Sequence, residues 1–445
     1  MRSRSTEVTP APVPEGATQA GEVRARWAWT EPTVWSERML TALEQGVKGG
    51  KWFSLIDKVY AVRTLAAAWR QVCARAGAAG VDRQTVEQFA AQAEKHVEHL
   101  CREVCTDTYE PQAVRRCWIE KPGSVEKRPL GIPTVKDRVV QTALRMVLEP
   151  IFEREFHPHS YGFRPGRGCK DALRHVQRLL DGGARWVVDA DIKSYFDTIP
   201  HQSLMTEVEH HVADGRVLKL LTAYLTQGVL DGLEQWTPEA GTPQGAVISP
   251  LLANVYLHPV DQAMAAAGYE MVRYADDVVI LCGSETEAQQ ALAQLDALLR
   301  GRGLQLHPEK TRVVNADEPG GFDFLGYHFE QGQRWPRKKS LRKLKDNIRK
   351  VTRRTSGISL AVTIQRLNPK LRGWFQYYQH SWRWTFVVLD RWVRMRLRSI
   401  LRAHAGRRGR GRGSDHRRWP NAYFREQGLF SLVEAHRQRL ARRPL

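Results

Sequence analysis

Met271-Val272-Arg273-Tyr274-Ala275-Asp276-Asp277-Val278-Val279-Ile280-Leu281 is the stretch that decides the fold. Two β-rich apolar runs flank two adjacent aspartates, so Glu270 to Leu281 reads as a strand, an acidic turn and a second strand. A buried sheet does not tolerate such carboxylates unpaired, because burying charge is costly. At the tip of a hairpin they project at an edge, where cations can satisfy them, and carboxylates are natural ligands for Mg2+. Taken alone, these residues are equally well a polar hairpin turn, so the decision rests on what surrounds them.

Working outward, Arg185 to Ile192 is a short apolar strand that also ends in acids, Asp189 and Asp191. If the two strand ends are neighbours, their carboxylates converge on a site for two metal ions roughly 3.5–4 Å apart. One ion would lower the pKa of an attacking 3′-hydroxyl, and the other would bind a triphosphate and its leaving pyrophosphate. In-line phosphoryl transfer needs this positioning and charge neutralisation more than it needs a covalent nucleophile.

The rest of the chain frames these strands. Residues 1–33 are rich in Ala, Pro, Glu, Gly and Thr and read as a disordered arm. Residues 34–105 read as helical, with a break at Gly80-Val81-Asp82. Val114 to Glu120 is a strand, Lys121 to Ser124 a turn, and Arg128 to Pro133 extended, since its two prolines resist helix. Helices are expected over 137–156, 201–226, 249–267 and 285–302, with extended chain at 321–329. Strands separated by helices and returning as a hairpin indicate an α+β core. Beyond 337 the pattern is helical over 337–354, 359–380 and 385–404, then a flexible basic linker over 405–418 and a final helical segment.

The net charge of +20 is concentrated: residues 331–418 hold 26 Lys+Arg and 3 Asp+Glu, or +23 in 88 residues, which leaves −3 for the remainder. Such a field attracts a polyanion, nucleic acid first. The bland alternative is a solvated basic face or a membrane-facing patch, and the five tryptophans in the same segment argue against it. No apolar run of ~18 residues suggests a membrane span. The six cysteines form no C-x-x-C pair, which suits a reducing compartment. His96, His99, Cys101 and Cys105 lie close in sequence, yet they match no standard zinc spacing and fall on several faces of one expected helix.

Seven blocks in order then carry a family resemblance. They are Arg128-Pro129-Leu130-Gly131-Ile132-Pro133, Ser160 to Gly166, Asp189 to Lys193 with Phe196-Asp197, Gly241 to Gly245 with Ser249 to Asn254, Tyr274 to Asp277, Leu306 to Thr311, and Phe322 to Tyr327. Together they resemble bacterial group II intron reverse transcriptases, also called maturases, from about Trp52 to Leu432. The resemblance implies a right-hand polymerase of fingers, palm and thumb followed by a helical, basic maturase domain. Its divisions would be an N-terminal extension and fingers over 34–180, a palm over 181–330, thumb and maturase helices over 331–404, and a basic linker and C-terminal segment over 405–445.

Position by position, the resemblance implies that Asp191, Asp276 and Asp277 are the catalytic residues and hold two Mg2+ ions. Asp189, one strand period away on the same face, would tune the site. Arg128, with Lys121 assisting, would hold a dNTP triphosphate. Phe196 would be a steric gate against the ribose 2′-hydroxyl, and Gln244 and Gly245 would support the incoming nucleotide. Arg164 and Arg167 fall near template-contacting positions. In the basic part, Arg372 and the i, i+3, i+7 set Arg391, Arg394 and Arg398 would meet RNA phosphates. Trp382, Trp384 and Trp392 could stack on bases, although helix-packing core is the favoured reading for most of them.

The implied partners are the intron RNA, an RNA template, a DNA primer and DNA target, and dNTPs, in the bacterial cytoplasm at the nucleoid, with the oligomeric state open. Many family members carry a zinc-stabilised HNH nuclease. The absence of cysteine after Cys282 implies that this chain lacks one and that its primer comes from elsewhere. Two other readings are a reverse transcriptase repurposed for retron, diversity-generating or defence work, and a non-enzymatic splicing factor. The long maturase-like segment argues against the first, and the intact Asp191, Asp276, Asp277, Phe196 and Gln244 against the second.

Overall fold

The structure is a computed structural model that describes residues 20–47, 49–120, 127–355, 357–407 and 409–441. At its centre is a four-stranded antiparallel sheet in the order Glu270–Tyr274, Asp277–Cys282, Trp186–Asp191, Arg312–Asn315. The alternation of strand side chains sets its two faces apart. Val188, Ala190, Val278 and Ile280 point one way, into the largest core, which is shared with the helices Val135–Glu153, Ser249–Ala266 and Glu285–Gly301. On the other face, Val187, Val279 and Leu281 are buried against Phe322, Phe324 and Phe329 of a small three-stranded sheet. That second cover reaches only the apolar end of the face. Its other end carries Asp189, Asp191 and Asp277 and opens as a cleft.

The expected strands Val114–Glu120 and Lys127–Ile132 pair antiparallel. They are joined by a hairpin not anticipated from the sequence, Val229–Asp231 with Glu234–Trp236, which adds in parallel through Val114 and Val229. Strands this short and polar carry too little periodicity to be seen in advance. The same holds for Arg312–Asn315, which lies along Trp186–Asp191 with Asp189 opposite Arg312.

Two segments depart from the expected flexible chain. Over 20–33, Ala20–Arg26 is helical, and Val23 and Trp27 are buried in the main core. Trp27 donates its indole N–H to Glu44 at 3.1 Å. Two apolar anchors spaced along a polar segment order it, which overall composition hides. Over 405–418, Gly413–Arg418 is a helix whose Asp415 is 1% exposed. Asp415 accepts from Arg402 at 2.9 Å and from the backbone N–H of Arg412 at 2.7 Å, which ties this segment to the helix Arg383–His404.

The basic half is the helical array expected: Lys338–Val351, Leu360–Tyr378, Arg383–His404 and Leu432–Ala441 surround a third core built on Leu367, Phe386, Leu397 and Phe424. Asp390 binds the last of these helices at its start. It accepts from the Ser431 hydroxyl at 2.8 Å and from the backbone N–H groups of Leu432 and Val433. A carboxylate there satisfies donors that a helix N-terminus leaves without partners. No helix among the described residues is long and apolar enough to cross a membrane.

Candidate active site

The hairpin turn is two residues long, with Tyr274 paired to Asp277. Ala275 takes a positive φ of 59°, a conformation that costs a residue with a Cβ roughly 1–2 kcal/mol. Two contacts hold it there. A Cβ on Gly162 would lie 2.3 Å from the Ala275 nitrogen, so only glycine lets the Ser160–Gly166 loop press on the turn. The Ala275 carbonyl accepts from the Arg273 guanidinium at 3.0 Å. Arg273 is itself buried, bonded twice to Asp261 at 2.7 and 2.5 Å and once to Asn254 at 3.0 Å. Asn254 in turn donates to the Gly162 carbonyl at 2.8 Å. One buried network thus fixes the acidic turn, the loop beneath it and the helix Ser249–Ala266. Arg273 and Asp261 went unassigned in the sequence, where the only signal was an arginine inside an apolar strand.

The strand register sets Asp191 directly opposite Asp277, and Asp276 sits at the turn. Desolvation in the cleft, then the neighbouring Asp276 and Asp191 carboxylates, push Asp277 up to about 6. Asp276 is also raised, by desolvation and by Asp191, while Arg128 and Lys310 act the other way. Asp189 lies on the same face, and burial pushes it up to about 6 in spite of its 3.2 Å bond from Arg312. Lys310 donates to Asp191 at 2.6 Å, and the backbone N–H of His307 donates to the Asp191 carbonyl at 2.8 Å. Carboxylates crowded until they resist ionisation, with a lysine ammonium already against one of them, form an all-oxygen set short of positive charge. That set fits hard divalent cations. The cleft beside it has a volume of about 370 Å3 and is lined by Asp191, Asp277, Lys310, Asp323 and Arg337 among others.

Around this cluster, Phe196 is half-buried with its ring edge-on to the exposed Phe163 ring, 6.2 Å away. Phe163 also has a positive φ of 60°, and it was not singled out from the sequence. Gln244 donates to both oxygens of Asp197 at 3.0 Å, and its carbonyl accepts from the Gly131 N–H at 2.6 Å. A Cβ on Gly245 would lie 2.4 Å from the Gly131 carbonyl oxygen, so this loop docks directly on the strand that carries the exposed Arg128. Lys121 lies outside the described residues.

Several expected nucleic-acid contacts are not available. Arg164 is 6% exposed; it is bonded twice to Glu153 and donates to the carbonyls of His157 and Ser160, so it closes its own loop. Arg398 is 3% exposed and donates to the Trp419 carbonyl and to Asn421. Arg394 is largely buried beside Asp390, 3.7 Å away. The arginine stripe therefore breaks up, and only Arg391 of that set is exposed, above the Trp384 ring. Arg372 is exposed and lies over Phe430. Arg167 is half-buried and donates to the Pro158 carbonyl at 2.6 Å. The tryptophans also differ from the favoured reading: Trp382 and Trp384 are 46% and 50% exposed, and Trp392 alone packs on the core. His96 stacks on Phe89 and His99 pairs with Glu103, so the helix bearing Cys101 and Cys105 gathers no ligand set from these four.

Residues 119–329 match the family described as reverse transcriptase (RNA-dependent DNA polymerase), and residues 341–419 match the group II intron, maturase-specific domain. Protein YkfC of Escherichia coli (strain K12) is 33% identical over 347 residues, covering 68% of this chain and 85% of that protein. Group II intron-encoded protein LtrA of Lactococcus lactis subsp. cremoris is 40% identical over 183 residues, covering 41% of this chain and 30% of that protein. An uncharacterized 91 kDa protein in the cob intron of Schizosaccharomyces pombe is 33% identical over 261 residues, 45% of this chain and 32% of its own length. The chain thus spans about a third of the intron-encoded relatives that it matches.

Proposed function

The chain belongs to the family of group II intron-encoded reverse transcriptases and maturases, and from that premise we propose that it copies RNA into DNA and binds intron RNA through its basic half to assist splicing and mobility. The observation that carries the polymerase reading is the register that sets Asp191 opposite Asp277, with Asp276 at the adjoining turn. In this reading Asp191, Asp276 and Asp277 hold two Mg2+ ions. When bound, these would supply the charge that activates a primer 3′-hydroxyl and stabilises pyrophosphate. Lys310 gives up Asp191 as the site fills, leaving its ammonium free for a phosphate. Arg128, exposed at the rim and felt electrostatically by Asp276, takes the triphosphate, for which a guanidinium fork is suited.

Phe196 is assigned as the gate against a ribose 2′-hydroxyl, which would favour dNTPs, and its ring meets Phe163 edge-on. Asp197 holds Gln244, so the loop Pro243-Gln244-Gly245 meets the incoming nucleotide already oriented. On this reading residues 34–180 act as N-terminal extension and fingers, 181–330 as palm and 331–404 as thumb and maturase helices. Exposed Arg372 and Arg391, with Trp382 and Trp384, offer phosphate contacts and stacking faces to RNA. The test is primer extension on an RNA template with Mg2+ and dNTPs, comparing the wild type with Asp276→Ala/Asp277→Ala. Product from the wild type alone supports the reading. No product from either, in folded protein that still binds RNA, would replace it with a non-enzymatic splicing factor.

A further inference from the structure

A second cluster lies on the same hairpin, at the end of its edge strand remote from the aspartates. Glu270 opens the strand Glu270–Tyr274, about 13 Å along it from Tyr274 at the usual rise per residue. Facing it are His159, from the loop that precedes Gly162, and His175, from the helix Cys169–Asp181. His159 Nδ1 lies 3.5 Å from Glu270 Oε2, and His175 Nε2 lies 4.0 Å from the same oxygen. The imidazole rings are 4.1 Å apart between centroids. Among the described residues, these three side chains are the set of His, Cys and acidic groups whose ligand atoms all fall within 4.8 Å of one another.

Two features distinguish the cluster from an ordinary ion pair. His175 is 5% exposed, and its Nε2 is too far from Glu270 for a hydrogen bond. Its other nitrogen, Nδ1, lies 3.1 Å from the Tyr161 hydroxyl. In the tautomer that donates its Nδ1–H to the Tyr161 hydroxyl, Nε2 keeps its lone pair toward the cluster, the arrangement that orients metal-ligating histidines. The spacing also fits: four ligands arranged tetrahedrally at 2.0–2.1 Å stand about 3.4 Å apart. The Glu270–His159 distance is already there, the Glu270–His175 distance is about half an ångström longer, and all three ligand atoms lie within 4.8 Å of one another.

We propose that His159, His175 and Glu270 form a structural site for a borderline divalent transition-metal ion such as Zn2+, with water in the fourth position on the half-exposed Glu270 side. Imidazole nitrogens favour such an ion over Mg2+, so the site and the aspartate cluster select different metals. Three separate segments supply the ligands. The backbone N–H of Arg273 already donates to the His159 carbonyl at 3.0 Å. A bound ion therefore ties the loop under Ala275, the helix Cys169–Asp181 and the edge strand together behind the acidic turn.

The test uses the full chain stripped of metal, with excess Mg2+ present to occupy the aspartates, and titrates Zn2+ calorimetrically. The wild type should bind one equivalent that His159→Gln/Glu270→Gln loses or binds at least tenfold more weakly. Zn2+ should raise the melting temperature of the wild type and not of the variant. Co2+ in place of Zn2+ should show intense four-coordinate visible bands in the wild type only. Glu270→Gln alone, a half-exposed substitution, keeps the comparison valid if the double variant folds poorly. Equal Zn2+ uptake by wild type and variants, or none by the wild type, would overturn the site and leave a hydrogen-bonded histidine–glutamate cluster.

Discussion

The acidic cleft and the basic helical half place charge in opposite ways. In the cleft, carboxylates are gathered at the open end of a sheet face, with Lys310 on Asp191 and Arg312 on Asp189 as their cationic partners. Burial and mutual repulsion there hold Asp276 and Asp277 above the usual carboxylate range. In the basic half, charge is spent on the fold itself: Arg398 donates to the Trp419 carbonyl, Arg402 to Asp415, and Arg396 to Thr352. A carboxylate held above its usual range is ready for a cation, whereas a guanidinium bonded to buried carbonyls is architecture. Counting arginines by sequence therefore overstates the exposed basic surface, while the strand register does set Asp191 opposite Asp277.

The largest effect that could break this contrast is at the cleft. Asp277→Asn should lower primer extension on the order of 10³-fold while leaving the melting temperature unchanged or raised, since it removes repulsion. A large loss of stability instead would make Asp277 architectural. Next is Arg273→Ala, which strands the buried Asp261 carboxylate. It should destabilise the chain by about 3–5 kcal/mol, measured by denaturant melts, and reduce polymerisation through the loosened turn.

Acid titration sharpens the comparison because two buried aspartates respond with opposite sign. In the polymerase half, burial pushes Asp137 up to about 6, although Tyr109 and the Gln112 N–H donate to its carboxylate and the neighbouring Thr134 also acts to lower it. Between about pH 4 and 6 the folded chain keeps a proton that the unfolded chain has lost, so stability falls as pH rises through that window, by up to about 3 kcal/mol. Asp137→Asn should abolish that slope in urea midpoints. In the basic half, the backbone N–H of Arg412 and then Arg402 hold Asp415 below the usual range. Its contribution is present above about pH 4 and is lost only as pH falls further; hydrogen exchange should show Gly413–Arg418 opening first in stronger acid.

Arg398→Ala should cost about 2 kcal/mol by leaving the Trp419 carbonyl unpaired, with the salt dependence of RNA binding unchanged. Arg391→Ala should do the reverse, reducing the salt slope by about 1 with little change in melting. Equal salt slopes for the two variants would erase the distinction between exposed and inward-turned arginines.

What the sequence determined by itself follows from short-range rules. A strand alternates its faces every residue, so Asp189 and Asp191 had to share a face, whereas the pairing register brought Asp277 to it. The helices of the basic half were legible from the same periodicity. Tertiary structure alone decided which cations stay in solvent. A helix face presented to a neighbour and one presented to RNA carry the same spacing, and arginine bridges buried carbonyls as readily as phosphates. Only the packed neighbours Glu153, Trp419 and Asp390 removed Arg164, Arg398 and Arg394 from the surface. Likewise, the bond from Lys310 to Asp191 and the meeting of His159, His175 and Glu270 join residues distant in the chain. No local pattern encodes such contacts, because they exist only once separate cores have set the segments side by side.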